Sequence, residues 1–265
     1  MKERPYIGVT GLAAAEEVRH LVASFKANGI SRDTSHQPMA GFLVSQKTLN
    51  GQEVLSRRHP AVAKLPELLG ESNFYTFNTI HYNSRQTTDL ADQIKEIFVG
   101  QIYEDQLCRG IQLNIAWPPV EQLLEAKRAL PDLSIIMQLS NKAINGKSPG
   151  EVAGLLRQYG GLIDYTLLDP SGGRGKPFQP QDIVPYYTAL YDRLSHVTVG
   201  LAGGFTGENV SQRCKEIIDL VGSKEFSIDA EGGLRDKITD GFGDDTYNSD
   251  KVEDYLRVSK DALIG

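Results

Sequence analysis

The sequence predicts an α/β fold, a (β/α)8 TIM barrel forming a single domain over residues 1–265. Three observations lead there. Short apolar runs rich in β-branched residues recur eight times, segments of helical period separate them, and no linker, low-complexity tract or compositional shift divides the chain. A doubly wound open sheet is the main rival. It is disfavoured because "GVTGLAAAEE" after the first run lacks the glycine spacing of a dinucleotide-binding turn.

The elements follow in order. "YIGVTG" (6–11) reads as the first strand and "AAEEVRHLVASFKANG" as its helix, with Gly29 as a C-terminal stop. "AGFLVS" (40–45) is the second strand, set in an extended βα loop region around 30–72. The segment 53–72 there predicts a long loop and then a short or broken helix, because Pro60 and Pro66 interrupt it. "FYTFNTI" (74–80), "GIQLNIA" (110–116) and "SIIMQLS" (134–140) are strands three to five; Pro118 and Pro119 suit a first helical turn. "DYTLLD" (164–169), "VTVGLAG" (197–203) and "FSIDAEG" (226–232) complete the eight, with Thr206 and Ser249 as expected N-caps and Gly222 as a further stop. The acidic tract 240–250, "DGFGDDTYNSD", lacks EF-hand spacing and reads as a flexible loop.

Composition sets limits on partners. A net charge of −6 gives no general attraction to nucleic acid or anionic membranes, so any bound anion needs a local device. Cys108 and Cys214 show no zinc or disulfide pattern and are expected reduced and buried. With no signal-peptide pattern and no apolar run near the roughly 20 residues that span a bilayer, a cytoplasmic location without membrane contact is expected. No metal or cofactor is called for, and the oligomeric state, monomer or homodimer, is not legible.

In such barrels chemistry gathers at the C-terminal ends of the strands. There the sequence places Thr10, Ser45, Asn78, His81, Gln112, Asn114, Gln138, Ser140, Asp169, Gly203, Gly204, Asp229, Glu231 and Gly232. Runs seven and eight each end in a double glycine, Gly203–Gly204 and Gly232–Gly233, with Arg235 nearby. Amides free of Cβ hindrance in these two loops are the usual phosphate cradle of the fold, so a small anionic phosphorylated ligand is the expected partner.

These same motifs resemble phosphoribosylanthranilate isomerase, the (β/α)8 enzyme of tryptophan biosynthesis. "IGVTGL" is similar to that family's "KICGL", "IQLN" to "VQLHG", "LLDPSGGRGKPF" to "LLDxxxGGTGKxFDW", "LAGGFTGENV" to "LAGGLxPxNV", and "IDAEGGLRD" to "VDVSSGVE". The resemblance implies a general acid at Asp169, a ligand-contact or loop-ordering role for Lys176, and a general base at the first-strand position. That position holds Thr10 here, and a hydroxyl, un-ionised at neutral pH, cannot remove a proton as a thiolate can. Asn114 replaces the family's histidine, and Glu231 and Gly232 replace its two serines.

Two readings stand for most of these residues. Asp169 is an acid or only a turn residue of "DPSGG"; Glu231 is an acid/base group or the partner of Arg235 or Lys237; His81 is a replacement base or a packing residue. Gln112 and Asn114 contact a substrate or satisfy one another, and the cluster Arg57, Arg58, His59 receives a substrate carboxylate or is a solvated loop. The function expected is acid/base isomerisation of a phosphoribosyl or other phosphosugar. The alternative is a ligand-binding protein that keeps the phosphate loops without the chemistry.

Overall fold

A computed structural model gives the fold and describes every residue except 1, 73, 99, 172–177 and 242. Eight parallel strands close into a barrel: β1 Tyr6–Thr10, β2 Gln37–Ser45, β3 Phe77–Asn83, β4 Gly110–Leu113, β5 Ser134–Ser140, β6 Tyr165–Asp169, β7 Thr198–Ala202 and β8 Ser227–Ala230. Closure is made by β8 pairing with β1, Ile7 opposite Ile228 and Val9 opposite Ala230. Eight main helices return the chain: α1 Ala15–Ala27, α2 Leu65–Glu71, α3 Leu90–Phe98, α4 Val120–Ala129, α5 Pro149–Leu156, α6 Pro180–Arg193, α7 Val210–Val221 and α8 Ser249–Leu263.

The predicted third strand is displaced by three residues. Phe74 adopts a left-handed φ of 57° and the Tyr75 hydroxyl donates to the Ile30 carbonyl, so the extended run starts only at Phe77. At its far end the strand continues through Tyr82 and Asn83, which pair with Val44 and Ser45. His81 is therefore an inward strand residue, while Asn78 lies at the opposite end of the barrel, where its Nδ2 donates to the carbonyls of Leu69 and Leu107.

Other expectations shift by smaller amounts. The 30–72 region contains β2 itself, a loop from residue 50, a 3₁₀ turn at Val62–Lys64 and then α2 with Pro66 in its first turn. Asn248, one residue before Ser249, caps α8 by accepting from the Lys251 amide at 2.9 Å. Asn209 and not Thr206 stands at the start of α7. The acidic tract is not a free loop: β9, Arg235–Lys237, pairs antiparallel with β10, Asp245–Tyr247, in a hairpin between β8 and α8. The alternation in 244–247 is too short to signal a strand without the partner that pairs with it.

Two apolar regions hold the fold together. Outward strand residues such as Ile7, Phe42, Ile111 and Leu201 pack beneath the helices in one continuous core. Inside the barrel, a plug of Tyr6, Phe77 and Tyr165, with ring centroids 5.5–6.4 Å apart, fills the N-terminal half together with Met39 and Ile136. Above the plug the inward side chains turn polar: Thr10, His81, Gln112, Gln138, Asp169 and Asp229, each at most 7 % exposed. Gly41 makes room for them, because a Cβ there would lie 2.9 Å from His81 Nε2 and closer still to Thr10 Oγ1.

Gly41→Ala should consequently overpack this layer and lower the unfolding free energy by about 1–3 kcal/mol, as measured by urea denaturation.

Candidate active site at the barrel mouth

A cavity of about 850 Å3 opens at the C-terminal ends of the strands. Its walls include His81, Gln112, Asn114, Asp169, Gly203, Gly204, Asp229, Glu231 and Gly232, so most of the residues selected from the sequence converge here. Lys176 lies outside the described residues, as does the rest of 172–177.

The inner wall is a chain of hydrogen bonds whose donations run outward from Gln112 Nε2, on one side to Asp169 and on the other to Asp229. Asp169, at the end of β6, accepts from Ser171 N at 3.0 Å, Ser171 Oγ at 2.6 Å and Gln138 Nε2 at 2.7 Å. With its amide nitrogen committed to a carboxylate, Gln138 turns its oxygen toward Gln112 Nε2, 3.3 Å away. Gln112 Nε2 also donates to His81 Nδ1 at 3.1 Å, which leaves the imidazole proton on Nε2. That N–H faces Thr79 Oγ1 at 3.1 Å and Thr10 Oγ1 at 3.4 Å, and Thr10 in turn donates to Asp229 at 2.9 and 3.1 Å. Gln112 Oε1 is buried and has no donor among the described residues.

Burial sets the charges along this chain. Complete enclosure pushes the His81 pKa down to about 3, so the imidazole is neutral and is not the near-neutral base expected of it. Asp229 is pushed the other way. Loss of solvent raises its pKa well above the usual carboxylate range, the Thr10 hydrogen bond opposes this, and the charges of Glu231 and Asp169 add to it. Asp229 is thus biased toward its protonated form, a role the sequence did not single out; its signal was an acidic residue two before Glu231 on the same strand, hence facing the same way.

A second cluster builds the outer wall. Arg58, from the loop after β2, donates through Nε to Asp245 at 3.0 and 3.1 Å, through Nη2 to the same carboxylate, and through Nη1 to Glu231 at 2.6 Å. Burial would lower the Arg58 pKa, but the two carboxylates reverse the effect and raise it. Asp245 also accepts from Arg235 Nε at 2.6 Å; burial opposes its ionisation, and the two guanidiniums outweigh that and hold its pKa below the ordinary value. Burial raises the Glu231 pKa, and the charge of Arg58 opposes the rise without cancelling it. The ion partner of Glu231 is therefore Arg58, from a loop 173 residues earlier, and neither Arg235 nor Lys237.

Several selected residues have other tasks. Arg235 is buried, pairs with Asp245 and donates to the Gly11 carbonyl at 3.1 Å, so it braces the β1 loop and does not line the cavity. A Cβ on Gly233 would lie 2.8 Å from Thr206 Cγ2 and closer to the Phe205 carbonyl, which marks a close packing of the β8 loop on the β7 loop. Gly203 and Gly204 take φ of 119° and 66°, open to L-residues only with strain, and lie at the cavity wall. Arg58 Nη2 comes within 3.6 Å of where a Gly232 Cβ would be, and Arg213 Nη1 donates to the Gly203 carbonyl at 3.0 Å, so each glycine loop has a guanidinium beside it. Cys108 and Cys214 are free and buried, their thiols pushed up to about 12 by burial. Among the described residues no group of three His, Cys, Asp or Glu is placed to hold a metal ion, and no helix is long and apolar enough to cross a membrane.

Fold and mouth together define a closed (β/α)8 barrel whose polar end carries a carboxylate-rich cavity. Solved structures of that class are similar over the whole length. Phosphoribosyl anthranilate isomerase from Thermus thermophilus superposes with a TM-score of 0.61 at 16 % identity, covering 96 % of this chain and 97 % of that one. Phosphoribosyl anthranilate isomerase in complex with reduced 1-(o-carboxyphenylamino)-1-deoxyribulose 5-phosphate gives 0.59 at 16 % identity, covering 97 % and 99 %. The catalytic domain of a hyperthermophilic chitinase from Pyrococcus furiosus gives 0.57 at 12 % identity, covering 100 % and 97 %. No protein-family model and no curated protein matches the chain. At these identities the likeness is one of fold.

Asp229 makes stability depend on pH with a definite sign. Because its folded pKa is raised, it favours the folded state fully below the unfolded value of about 3.9, and this contribution is lost as pH rises toward the folded value. Asp229→Asn keeps an acceptor for Thr10 and cannot ionise. It should flatten the stability decline on the alkaline side and raise the melting temperature at pH 8, by about 2–4 °C for each kcal/mol recovered, in scanning calorimetry from pH 5 to 8. Arg58→Met should cost about 3–5 kcal/mol in urea unfolding, since it leaves Asp245 and Glu231 buried with one cation fewer.

Proposed function

We propose that the mouth cavity is an acid/base site that isomerises a small phosphorylated ligand of the phosphoribosyl or sugar-phosphate class. The observation that carries this reading is Asp229, a carboxyl buried at the cavity wall beside Thr10, with two further carboxylates, Asp169 and Glu231, lining the same cavity and biasing it toward its protonated form. A barrel gains no stability from such a group, so the cost of burying it points to chemistry.

The roles follow from the hydrogen bonds. Asp229 carries the proton to be donated, to a ring or carbonyl oxygen as its bond to carbon opens. Asp169, which only accepts in its bonds to Gln138 and Ser171, takes a proton from the neighbouring carbon. This exchanges the part that the motif resemblance gives to Asp169. Thr10 then has a use without ionising: it positions the acid, through its bond to Asp229. His81 and Gln112 orient Thr10 and stay neutral. The phosphate would lie over the amides of Gly203, Gly204 and Gly232, with Arg58 offsetting Glu231 beside it. The ligand bound in the isomerase complex, a deoxyribulose 5-phosphate, is of the class this cavity would accept.

A ligand-binding protein without turnover is the second reading, favoured by the hydroxyl at Thr10 where the resemblance places a base. One experiment separates the two. The purified chain is incubated in D2O with phosphoribosylanthranilate or with ribose 5-phosphate, and deuterium incorporation and product are followed by NMR. Turnover that falls by about 10²- to 10⁴-fold in both Asp229→Asn and Asp169→Asn is expected. An unchanged rate in Asp169→Asn removes it from the mechanism, and a ligand that raises the melting temperature with no exchange supports the binding protein.

A further inference from the structure

At the opposite, N-terminal end of the barrel lies a second cavity, of about 430 Å3, which the mouth chemistry does not use. Its floor is the underside of the aromatic plug, Phe77 and Tyr165, and its rim is built from the loops that enter strands two to six. Two guanidiniums line it. Arg32 donates to the Thr76 carbonyl at 2.7 Å and Arg109 donates to the Gln106 side chain; among the described residues neither has a carboxylate within ion-pair distance. The Arg32 pKa is lowered, by partial burial first and by the like charge of Arg109 second, so the two cations oppose one another across the cavity. An anion placed between them would relieve that repulsion.

Backbone strain is concentrated on the same rim. Of the three non-glycine residues with left-handed φ among those described, Phe74 at 57° and Gln106 at 54° both line this cavity. Phe74 presents a half-exposed aromatic ring at the cavity edge, beside the inward ring of Phe77. The charge balance narrows the ligand. Lys127 is already paired with Asp164 at 3.0 Å, and the carboxylates of Glu3 and Asp132, which also line the cavity, would repel a dianion more than a monoanion.

We infer that the N-terminal cavity is a second binding site, for a small aromatic or otherwise flat monocarboxylate, with its carboxylate held between Arg32 and Arg109 and its apolar body against Phe74 and Phe77. The guanidinium forks suit a carboxylate, and the ring pair suits a flat body of benzene size.

The test is a calorimetric titration of the full chain at low ionic strength with benzoate and, separately, with inorganic phosphate. Saturable 1:1 binding of benzoate is expected, with affinity reduced at least tenfold in Arg32→Ala/Arg109→Ala. Among the described residues neither arginine has an ion-pair partner, and Arg32 makes one bond to a backbone carbonyl, so the melting temperature of that variant should stay close to the parent's. Phe74→Asn, which tolerates the left-handed backbone but lacks the ring, should weaken benzoate severalfold and leave any phosphate binding unchanged. Absence of benzoate binding, equal binding by the double variant, or tighter binding of phosphate than of benzoate at this site would each overturn the assignment.

Discussion

The arrangement of the mouth depends on the donors that Asp169 draws from its neighbours, above all Gln138 Nε2. A side-chain amide can be turned over without changing its shape, so two adjacent glutamines inside a barrel could in isolation adopt several hydrogen-bond patterns. The carboxylate removes that freedom. Gln138 must present nitrogen to Asp169, so it presents oxygen to Gln112, so Gln112 presents nitrogen to His81, and the imidazole tautomer follows. Reversing any member sets two acceptors against one another in a dry interior, at about 1–3 kcal/mol for each buried group left unsatisfied. A proton arrangement spanning β6, β5, β4, β3, β1 and β8 is thereby fixed from one end. Among the described residues it leaves over the acceptor Gln112 Oε1, buried at the cavity wall without a donor.

The outer wall obeys a different constraint, the high cost of burying an unpaired charge. Arg58, Arg235, Asp245 and Glu231 form an alternating cluster in which no charge lacks an opposite neighbour. Because Arg58 comes from the β2 loop and Asp245 from the hairpin after β8, the pairing also ties two separate loops into one structure. The Arg57 amide donates to the Gly243 carbonyl at 2.9 Å and the Arg57 guanidinium meets Asp244 at 3.1 Å, so the docking repeats along three consecutive residues of the hairpin. The long β2 loop is ordered in this way over the side of the cavity where β8 and β1 meet, next to Asp229.

The fold was open to sequence reasoning because it is written in local pattern: eight apolar runs at the right lengths, with proline and glycine at the turns. The displaced third strand shows the limit of that reasoning. "FYTFNTI" has strand composition from its first residue, and only the left-handed Phe74 and the tertiary bond from Tyr75 to Ile30 delay the start. The inner wall was equally legible, since residues at strand ends and alternate positions must face inward. Arg58 and Asp245 were not. Each lies in a tract of surface composition, and their meaning arises only when chain closure brings positions 187 residues apart into contact. Asp229 falls between these cases: its inward direction can be read from strand parity, whereas its protonation depends on burial and on neighbours from other elements.

A barrel of this kind says little by itself about chemistry. An isomerase and a chitinase domain superpose on this chain almost equally well, 0.61 against 0.57, although the reactions named for them have nothing in common. The strands and helices are therefore a support, and the reaction is decided by a small set of side chains at one rim. On that rim the chain departs from the motifs it resembles at the first-strand base, the fourth-strand histidine and the two serines after β8. The departures are mutually consistent in physical terms. Thr10 stands where the resembled motif has a thiol, and its hydroxyl donates directly to a carboxyl whose pKa burial has raised. Placing Glu231 beside the glycine loops adds a negative charge, and Arg58 arrives from the lengthened β2 loop to offset it. Thr10 and Glu231 are each held by a partner from another strand or loop, so neither polar group is buried uncompensated.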